Sequence, residues 1–284
     1  MEMPLLKNRI MKTKNIKLVL VAIMIIAGVK LNAQETITVP LSNPSKEGFL
    51  NVSLNNGGIK VIGTDRKDVK ITGTTRQKKK YYSGRKSSKK NTEGLKRISN
   101  NSLQFNAYEY GNEVKVKAGT YGTTDFEIEI PMNFSLKLST NNSGDIYVEN
   151  VNGVMEISNL NGKITLKDIS GAVSADALNK DITINFLTVK PDTPMAFSSL
   201  NGDIDITFPK SFKADVKIKS ERGDIFTDFE LNTQKSKAEV VKDEGKGNGY
   251  RVKVEKWITG TINGGGAELL FKNYNGDVII RSTK

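Results

Sequence analysis

Apolar and polar residues recur with a period of nine between residues 144 and 188. The repeat starts at four glycines and one lysine, nine positions apart: Gly144, Gly153, Gly162, Gly171 and Lys180. In every unit the second, fourth and seventh residues after that position are apolar, as Ile146, Val148 and Val151 are in the first. Such self-similarity predicts a repeat architecture in which each unit buries its apolar face against the next.

The spacing within a unit indicates strands that end at corners. Residues two apart lie on one face of a strand, so Ile146 and Val148 predict a strand. The next apolar residue is Val151 instead of Asn150, which indicates that the chain turns there. This favours a parallel β-solenoid. The alternative is an antiparallel meander built on Asn-Gly turns, which would keep strict alternation along each arm.

The residue after each repeat start alternates between polar and apolar, and this predicts a coil of two units. The series reads Asp145, Val154, Lys163, Ala172 and Asp181. A coil of eighteen residues with two unlike strands follows from this alternation. It would stack Asp145, Lys163 and Asp181 above one another as a charge-alternating ladder.

Similar turns continue beyond this block. They are Gly202-Asp203-Ile204, Gly223-Asp224-Ile225 and Gly276-Asp277-Val278, with a degenerate version at Asn56-Gly57-Gly58-Ile59. The steps of 22 and 21 residues from position 180 to 202 and then to 223 indicate longer coils. Three further motifs precede turns of this kind in the sequence: Ile130-Pro131, Phe208-Pro209 and the glycine-rich segment 260–266.

These motifs resemble a bacterial family of adhesin-like, exported β-repeat proteins of unknown function, which is similar to Toastrack-type and head-GIN-type domains. The resemblance covers roughly residues 50–284 and is clearest from Phe126 onward. It implies a right-handed parallel β-helix, or a solenoid-like repeat, in an exported protein. It supplies neither a reaction nor a set of functional residues.

The N-terminus has the three parts of a secretory signal peptide. Lys12, Lys14 and Lys17 precede the apolar stretch 18–29, and Ala33 ends a small-residue cleavage site. We expect residues 1–33 to be removed and the mature chain to start at Gln34, whichever of Met1 and Met11 is the true start. The alternative is an uncleaved anchor, although spanning a bilayer takes about 20 apolar residues.

The sequence predicts an all-β chain with two parts after the signal peptide. Residues 34–125 form a β-rich N-terminal part, and residues 126–284 form the β-solenoid. No second apolar run of spanning length follows, so no transmembrane segment is expected in the mature chain. The periplasm and the cell surface are both open as locations.

The amino-acid composition excludes the catalytic sites that depend on cysteine or histidine. The chain has no cysteine and no histidine, which excludes disulfides, thiolate metal sites and Ser-His triads. We predict no catalytic, cofactor-binding or metal-binding residue. Calcium binding at the Gly-Asp turns is an alternative, but Lys163 replaces an acid there and hard cations need six or more oxygens.

A carbohydrate-active enzyme, a polysaccharide lyase or glycosidase on a β-helix, is the alternative function. Such an enzyme needs two converging carboxylates. The eighteen-residue coil predicts Glu156 over Ser174 and Ser158 over Asp176, so no acidic pair stacks on that face.

One basic segment stands out. The chain has a formal net charge of +12, and residues 76–97 contain ten Lys or Arg and one Glu. The segment has the composition of an exposed loop, and blocks of like charge are often interaction sites. The candidate polyanion-binding residues are Lys78, Lys79, Lys80, Tyr81, Tyr82, Arg85, Lys86, Lys89 and Lys90.

We therefore predict a non-enzymatic, exported cell-envelope module for adhesion, scaffolding or sensing. Its partners would be acidic polysaccharide, lipopolysaccharide or extracellular nucleic acid, or another envelope protein. A solvated loop without function is the alternative interpretation of the basic segment.

Overall fold

The structure is a computed structural model and describes residues 34–76, 105–119, 122–235, 239–244, 250–255 and 257–284. Strands, turns and bends account for this part of the chain, which confirms the all-β prediction. Within it, no helix has the length and apolar character needed to cross a bilayer. The predicted signal peptide and all of the basic segment except Arg76 lie outside the described residues.

Twenty-two strands follow one another in the described part of the chain. The first eleven are β1 (Gln34–Pro40), β2 (Gly48–Asn56), β3 (Ile59–Thr64), β4 (Asp68–Arg76), β5 (Phe105–Tyr110), β6 (Glu113–Ala118), β7 (Thr123–Pro131), β8 (Phe134–Asn142), β9 (Ile146–Glu149), β10 (Asn152–Asn159) and β11 (Ile164–Ala177). The others are β12 (Ile182–Val189), β13 (Met195–Asn201), β14 (Ile204–Phe208), β15 (Ala214–Ser220), β16 (Ile225–Thr227), β17 (Gln234–Lys235), β18 (Glu239–Glu244), β19 (Tyr250–Glu255), β20 (Ile258–Ile262), β21 (Glu268–Asn275) and β22 (Val278–Ser282).

Mostly parallel pairing stacks twenty of these strands into two faces of a solenoid, and β18 and β19 form a separate antiparallel pair. Face 1 contains, in spatial order, β5, β6, β2, β8, β10, the second half of β11, β13, β21, β15, β20 and β17. Face 2 contains β1, β4, β7, β3, β9, the first half of β11, β12, β14, β22 and β16. Ile164 pairs in parallel with Ile146 and Ile182, each eighteen residues away. The parallel solenoid and its eighteen-residue coil are confirmed, and the meander is excluded.

The two corners of a coil are built differently. At one, the chain leaves face 2 through a residue with positive φ, Asn150 (58°) or Asp168 (51°), and the following Val151 or Ile169 is buried. At the other, which we call the glycine corner, the chain passes from face 1 to face 2. The apolar residue at the seventh position of the repeat lies at the first corner in one unit and at the glycine corner in the next. Val151, at the first corner, is 2% exposed, whereas Leu160, at the glycine corner, is 42% exposed.

Close contact between coils explains the glycines at the glycine corner. A Cβ on Gly162 would lie 1.9 Å from the Gly144 carbonyl oxygen, a distance that no side chain could accept. The buried Asn159 side chain completes this corner, because it accepts from the Gly162 N–H at 2.9 Å and donates to the Gly144 carbonyl at 3.1 Å. The corner's polar groups are thereby satisfied, as buried backbone requires.

The interior consists of continuous apolar rows. Ile146, Ile164, Ile182 and Ile204 stack with no exposed surface, and burying a side chain of this size contributes about 1.5–3 kcal/mol. Aromatic rings fill the C-terminal half. Phe208 stacks on Phe212 with ring centroids 4.2 Å apart, and the other close pairs there are Phe186–Phe208 and Phe197–Phe271.

The coils do not stack in chain order at the C-terminal end. Ile204 pairs with Val278, and Val278 pairs in turn with Ile225. The last coil of the chain, β21 and β22, therefore lies between the β13–β14 coil and the β15–β16 coil. The 21-residue step predicted between positions 202 and 223 is not a stacking step, because the C-terminal coil lies between them.

The N-terminal end shows the same inversion. Ile59 pairs with Ile146 on one side and with Phe126 on the other, so β6 and β7 lie outside the earlier coil of β2 and β3. Antiparallel strands complete both ends: β4 and β1 beyond β7, β5 beyond β6, and β20 beyond β15. Residues from Ala33 to Lys284 form one compact unit, and the predicted boundary between residues 125 and 126 falls within β7.

Candidate binding surface

The basic segment joins the fold at the N-terminal end of the solenoid. The nine candidate residues between Lys78 and Lys90 lie outside the described residues, but the strands on either side are described. Arg76, at the end of β4, binds the Asp125 carboxylate through Nε at 2.5 Å and Nη2 at 2.7 Å. Phe105, which begins β5, packs against Phe126 with ring centroids 5.2 Å apart. Both ends are thus fixed beside the first residues of β7.

β5 and β6 form a hairpin that we call the tyrosine hairpin. Gly111 and Asn112 have φ values of 58° and 66°, which suits a two-residue turn of type I′, whose twist matches that of the strands. The Asn112 side chain is 5% exposed. It donates to the Asn43 carbonyl at 2.6 Å and accepts from the Asn43 N–H at 2.7 Å. The turn is therefore tied to the loop that precedes β2.

Glu109 provides a second tie. Its carboxylate accepts hydrogen bonds from the Ser42 N–H at 2.9 Å, the Ser42 hydroxyl at 3.0 Å and the Asn112 N–H at 2.9 Å. These donors, the Ser42 N–H foremost, lower the pKa of Glu109. Because the bonds favour the ionised carboxylate, the hairpin is held most firmly when Glu109 is charged.

The outer side of the tyrosine hairpin presents aromatic and basic groups. Tyr108 is 57% exposed and Tyr110 is 91% exposed. Lys115 lies directly opposite Tyr108, and Lys117 is two residues further along β6. Among the described residues, no carboxylate forms an ion pair with either lysine. This small surface combines ring faces with two lysines and one acid, Glu113, which lies directly opposite Tyr110.

Polar side chains extend this surface onto the next strand. Lys115 pairs in register with Asn51, and Lys117 pairs with Ser53, both on β2. The Ser53 and Ser139 hydroxyls lie 2.9 Å apart, across to β8. Hydroxyl and amide groups therefore lie beside the lysines.

Sequence reasoning overlooked the tyrosine hairpin. The segment 108–117 reads Tyr-Glu-Tyr-Gly-Asn-Glu-Val-Lys-Val-Lys. Its alternation around Gly-Asn predicts a hairpin with tyrosines and lysines on one side. The signal was present, but it is short and does not belong to the nine-residue repeat.

Face 2 has many charges, but ion pairs neutralise most of them. They are Lys60–Glu127, Lys70–Glu129 and Lys167–Glu149 at 2.7 Å, and Arg281–Asp205 at 2.8 Å. The hydrogen bond from Lys70 lowers the pKa of Glu129, and the bond from Lys167 lowers that of Glu149. A general acid needs a raised pKa, so these two carboxylates are suited to ion pairing instead.

The predicted ladders on the two faces are confirmed. Glu156 pairs with Ser174, and Ser158 pairs with Asp176, so no acidic pair stacks at these positions. At the glycine corner, Asp145 accepts from the Lys163 N–H at 2.8 Å, and the Lys163 ammonium lies 3.3 Å from Asp181. In the ranges that the structure covers, no three Asp or Glu side chains converge to hold a metal ion.

Comparison with known proteins identifies the family. Residues 34–263 match the Toastrack DUF4097 domain. The chain belongs to this Toastrack family. No curated protein matches the sequence.

Two solved structures are similar to this chain at low identity. One is a proposed cell adhesion protein from Clostridium sporogenes, with 14% identity and a TM-score of 0.47; the match covers 89% of this chain and all of that one. The other is a proposed adhesin from Bacteroides fragilis, with 13% identity and a TM-score of 0.32; it covers 88% of this chain and 97% of that one.

Proposed function

We propose that this Toastrack protein is an exported, non-enzymatic module of the cell envelope that binds an anionic polymer at the N-terminal end of its solenoid. The observation that carries the proposal is the tyrosine hairpin. Its exposed Tyr108 and Tyr110 lie on β5, the first described strand after the basic segment. Lys115 and Lys117 lie on the adjacent strand β6 and form no ion pair with any described residue.

The two parts would have different roles. The basic segment, with Lys78, Lys79, Lys80, Arg85, Lys86, Lys89 and Lys90, would supply most of the positive charge. A charged polymer releases counterions when cations neutralise it, and this release drives much of the binding. Tyr81 and Tyr82 in the segment, and the two tyrosines of the hairpin, would stack on sugar rings or bases.

Hydrogen bonds hold the tyrosine hairpin in place. Asn112 and Glu109 fix the turn and the strand through hydrogen bonds to residues 42 and 43. A preorganised surface loses less conformational entropy when it binds. The hairpin would therefore orient the bound polymer, while the affinity would come mainly from the positive charge. Acidic polysaccharide, lipopolysaccharide and extracellular nucleic acid all have the required chemistry.

Chromatography on immobilised heparin across a salt gradient tests the proposal. One variant replaces residues 77–104 by a short Gly-Ser linker, which should change stability only slightly because closure entropy varies logarithmically with loop length. A second carries Lys115→Gln and Lys117→Gln, and a third carries Tyr108→Ser and Tyr110→Ser. We expect all three to elute at lower salt than the wild type.

The matched control is Lys180→Gln with Lys190→Gln, which removes two exposed charges from the middle of the solenoid. It should elute close to the wild type. Equal shifts for this control and for the Lys115 and Lys117 variant would show that only net charge matters. Identical elution of the wild type and the linker variant would remove the basic segment from the function.

A further inference from the structure

Four apolar side chains occupy equivalent outward-facing positions on consecutive coils of face 1, just before the glycine corner. They are Leu160, Leu178, Leu200 and Tyr274, and we call them the leucine–tyrosine stripe. The register of the residues before them places them in one row. Leu160, Leu200 and Tyr274 are 42%, 41% and 40% exposed. This regular apolar row lies far from the tyrosine hairpin.

An asparagine ladder runs alongside the stripe, one residue further along each coil. Asn179 donates to the Asn161 side-chain oxygen at 2.8 Å, Asn201 to Asn179 at 3.0 Å and Asn275 to Asn201 at 2.8 Å. A side-chain amide has two N–H groups and an oxygen with two lone pairs. Asn179, Asn201 and Asn275 each donate one N–H within the ladder, and the other N–H of each has no partner among the described residues.

A groove of about 280 Å³ follows the stripe at its C-terminal end. Leu178, Leu200 and Tyr274 line it together with polar residues of face 1, and the Lys219–Glu221 ion pair lies at its edge. The Arg222 guanidinium lies 5.2 Å from the Tyr274 ring centroid, which helps to fix the ring at the groove.

Buried polar atoms also line this groove. Ser199 and Asn273 are 6% and 1% exposed, and the Ser199 hydroxyl and the Asn273 side-chain oxygen have no hydrogen-bond partner in the described part of the chain. Buried polar atoms are nearly always paired. Ser199 and Asn273 line the groove from the inner side of the sheet, because both side chains alternate with the outward-facing Leu200 and Tyr274 along their strands.

Charges around the stripe are balanced. Asp181, Asp203 and Asp277 follow the ladder at the glycine corner, and Lys163, Lys180 and Lys272 lie among or beside them. Because neither sign dominates, the surface has no net attraction for a polyanion. The chemistry suits a neutral ligand with an apolar surface and repeated hydroxyl groups.

We propose that the leucine–tyrosine stripe and its groove bind an extended neutral glycan. Adjacent strands of a sheet lie about 4.8 Å apart, and this spacing is close to the rise per sugar unit of an extended β-1,4-linked chain. Each sugar could place its apolar C–H face on a leucine or on Tyr274 while its hydroxyls bond to the neighbouring asparagine. One sugar per coil follows from this register.

Other occupants fit less well. An extended peptide binds by adding a strand at a sheet edge, but the stripe lies on strands that are paired on both sides. A second copy would have to cover much more than four side chains, since stable interfaces bury about 800 Å² per partner. The periodic arrangement of apolar and amide groups favours a periodic ligand.

Calorimetric titration of the purified protein with cellohexaose and chitohexaose tests this proposal. We expect binding of at least one of them, with an affinity that does not change across a salt gradient. Tyr274→Ala combined with Leu200→Ser should weaken it by roughly tenfold or more, because the two substitutions remove most of the apolar area that the sugar rings would cover. Circular dichroism would verify that this variant is folded.

The matched control is Phe226→Ala combined with Leu187→Ser, which removes two exposed apolar side chains from face 2 and should leave the affinity unchanged. Three results would overturn the proposal: no heat with either glycan, equal affinity of the Tyr274 variant and the wild type, or a dimer that the Tyr274 variant abolishes. Salt independence separates this site from the polyanion surface, so either proposal can fail alone.

Discussion

The side-chain amide of Asn275 donates a 2.8 Å hydrogen bond to the side-chain oxygen of Asn201, a residue 74 positions earlier in the chain. The two asparagines are neighbours in the ladder because their coils are neighbours in space. Ladders of this kind add hydrogen bonds along the axis of a stacked sheet. The ladder therefore ties the C-terminal coil to the rest of the solenoid.

Replacing Asn201 by Ala should reduce the free energy of unfolding by about 1–2 kcal/mol. The substitution removes one bond to Asn179 and one from Asn275, and each net hydrogen bond contributes about 1 kcal/mol. Asn185→Ala is the control, because no hydrogen bond reaches the Asn185 side chain in the described part of the chain. Urea denaturation of both variants would measure the difference, and equal midpoints would mean that the ladder does not stabilise the fold.

Ile164→Asp should unfold the solenoid, whereas Thr165→Asp should cost less than about 1 kcal/mol. Ile164 is completely buried between Ile146 and Ile182, and its neighbour Thr165 points outward. Burying an unpaired carboxylate costs several kcal/mol, comparable with the stability of a whole domain. Melting curves followed by circular dichroism would compare them. If both substitutions lowered the melting temperature equally, Ile164 would not face the interior while Thr165 faces the solvent.

Glu109 should make the tyrosine hairpin sensitive to acid. Its folded-state pKa lies below the ordinary value of about 4.5. The stabilisation is therefore complete above that value and is lost as the pH falls through the lowered pKa. Glu109→Gln should be less stable than the wild type at neutral pH and should lose less stability between neutral pH and pH of about 3.

Thermal melts at the two pH values would measure this dependence. Glu113→Gln, in the same hairpin, is the matched control, since no hydrogen bond reaches the Glu113 carboxylate in the described ranges. If Glu109→Gln and the wild type lose the same stability in acid, the bonds from Ser42 and Asn112 have no part in it.

We expect the exported protein to begin at Gln34. The basic, apolar and small-residue parts of the N-terminus predict cleavage after Ala33. N-terminal sequencing of the protein recovered from the cell envelope would identify the first residue. Recovery of Leu18, or of any residue before it, would restore the uncleaved anchor.

The coil could be predicted from the sequence because its buried positions recur as apolar residues at a fixed spacing. Ile146, Ile164 and Ile182 are separated by a fixed spacing, and parallel stacking of identical positions is the arrangement that buries them all. The charge ladder of Asp145, Lys163 and Asp181 follows from the same spacing. These features depend on residues within one coil of each other.

The order of the terminal coils could not be predicted in this way. Val278 and Ile225 are equally suited to pair with Ile204, and only the three-dimensional structure shows that Val278 does so. The leucine–tyrosine stripe was hidden for a related reason. Leu160 is apolar like the buried Val151, and the pattern alone does not distinguish the two corners.

The position of the C-terminal coil has a consequence for the timing of assembly. A ribosome makes β15 and β16 before β21 and β22, yet the earlier strands reach the body of the solenoid only through the later ones. The nascent chain can close its N-terminal coils as they emerge, but the C-terminal third must wait for the final residues. Such a delay would keep that part unfolded until synthesis ends, which is the state in which a chain can still be threaded through a channel.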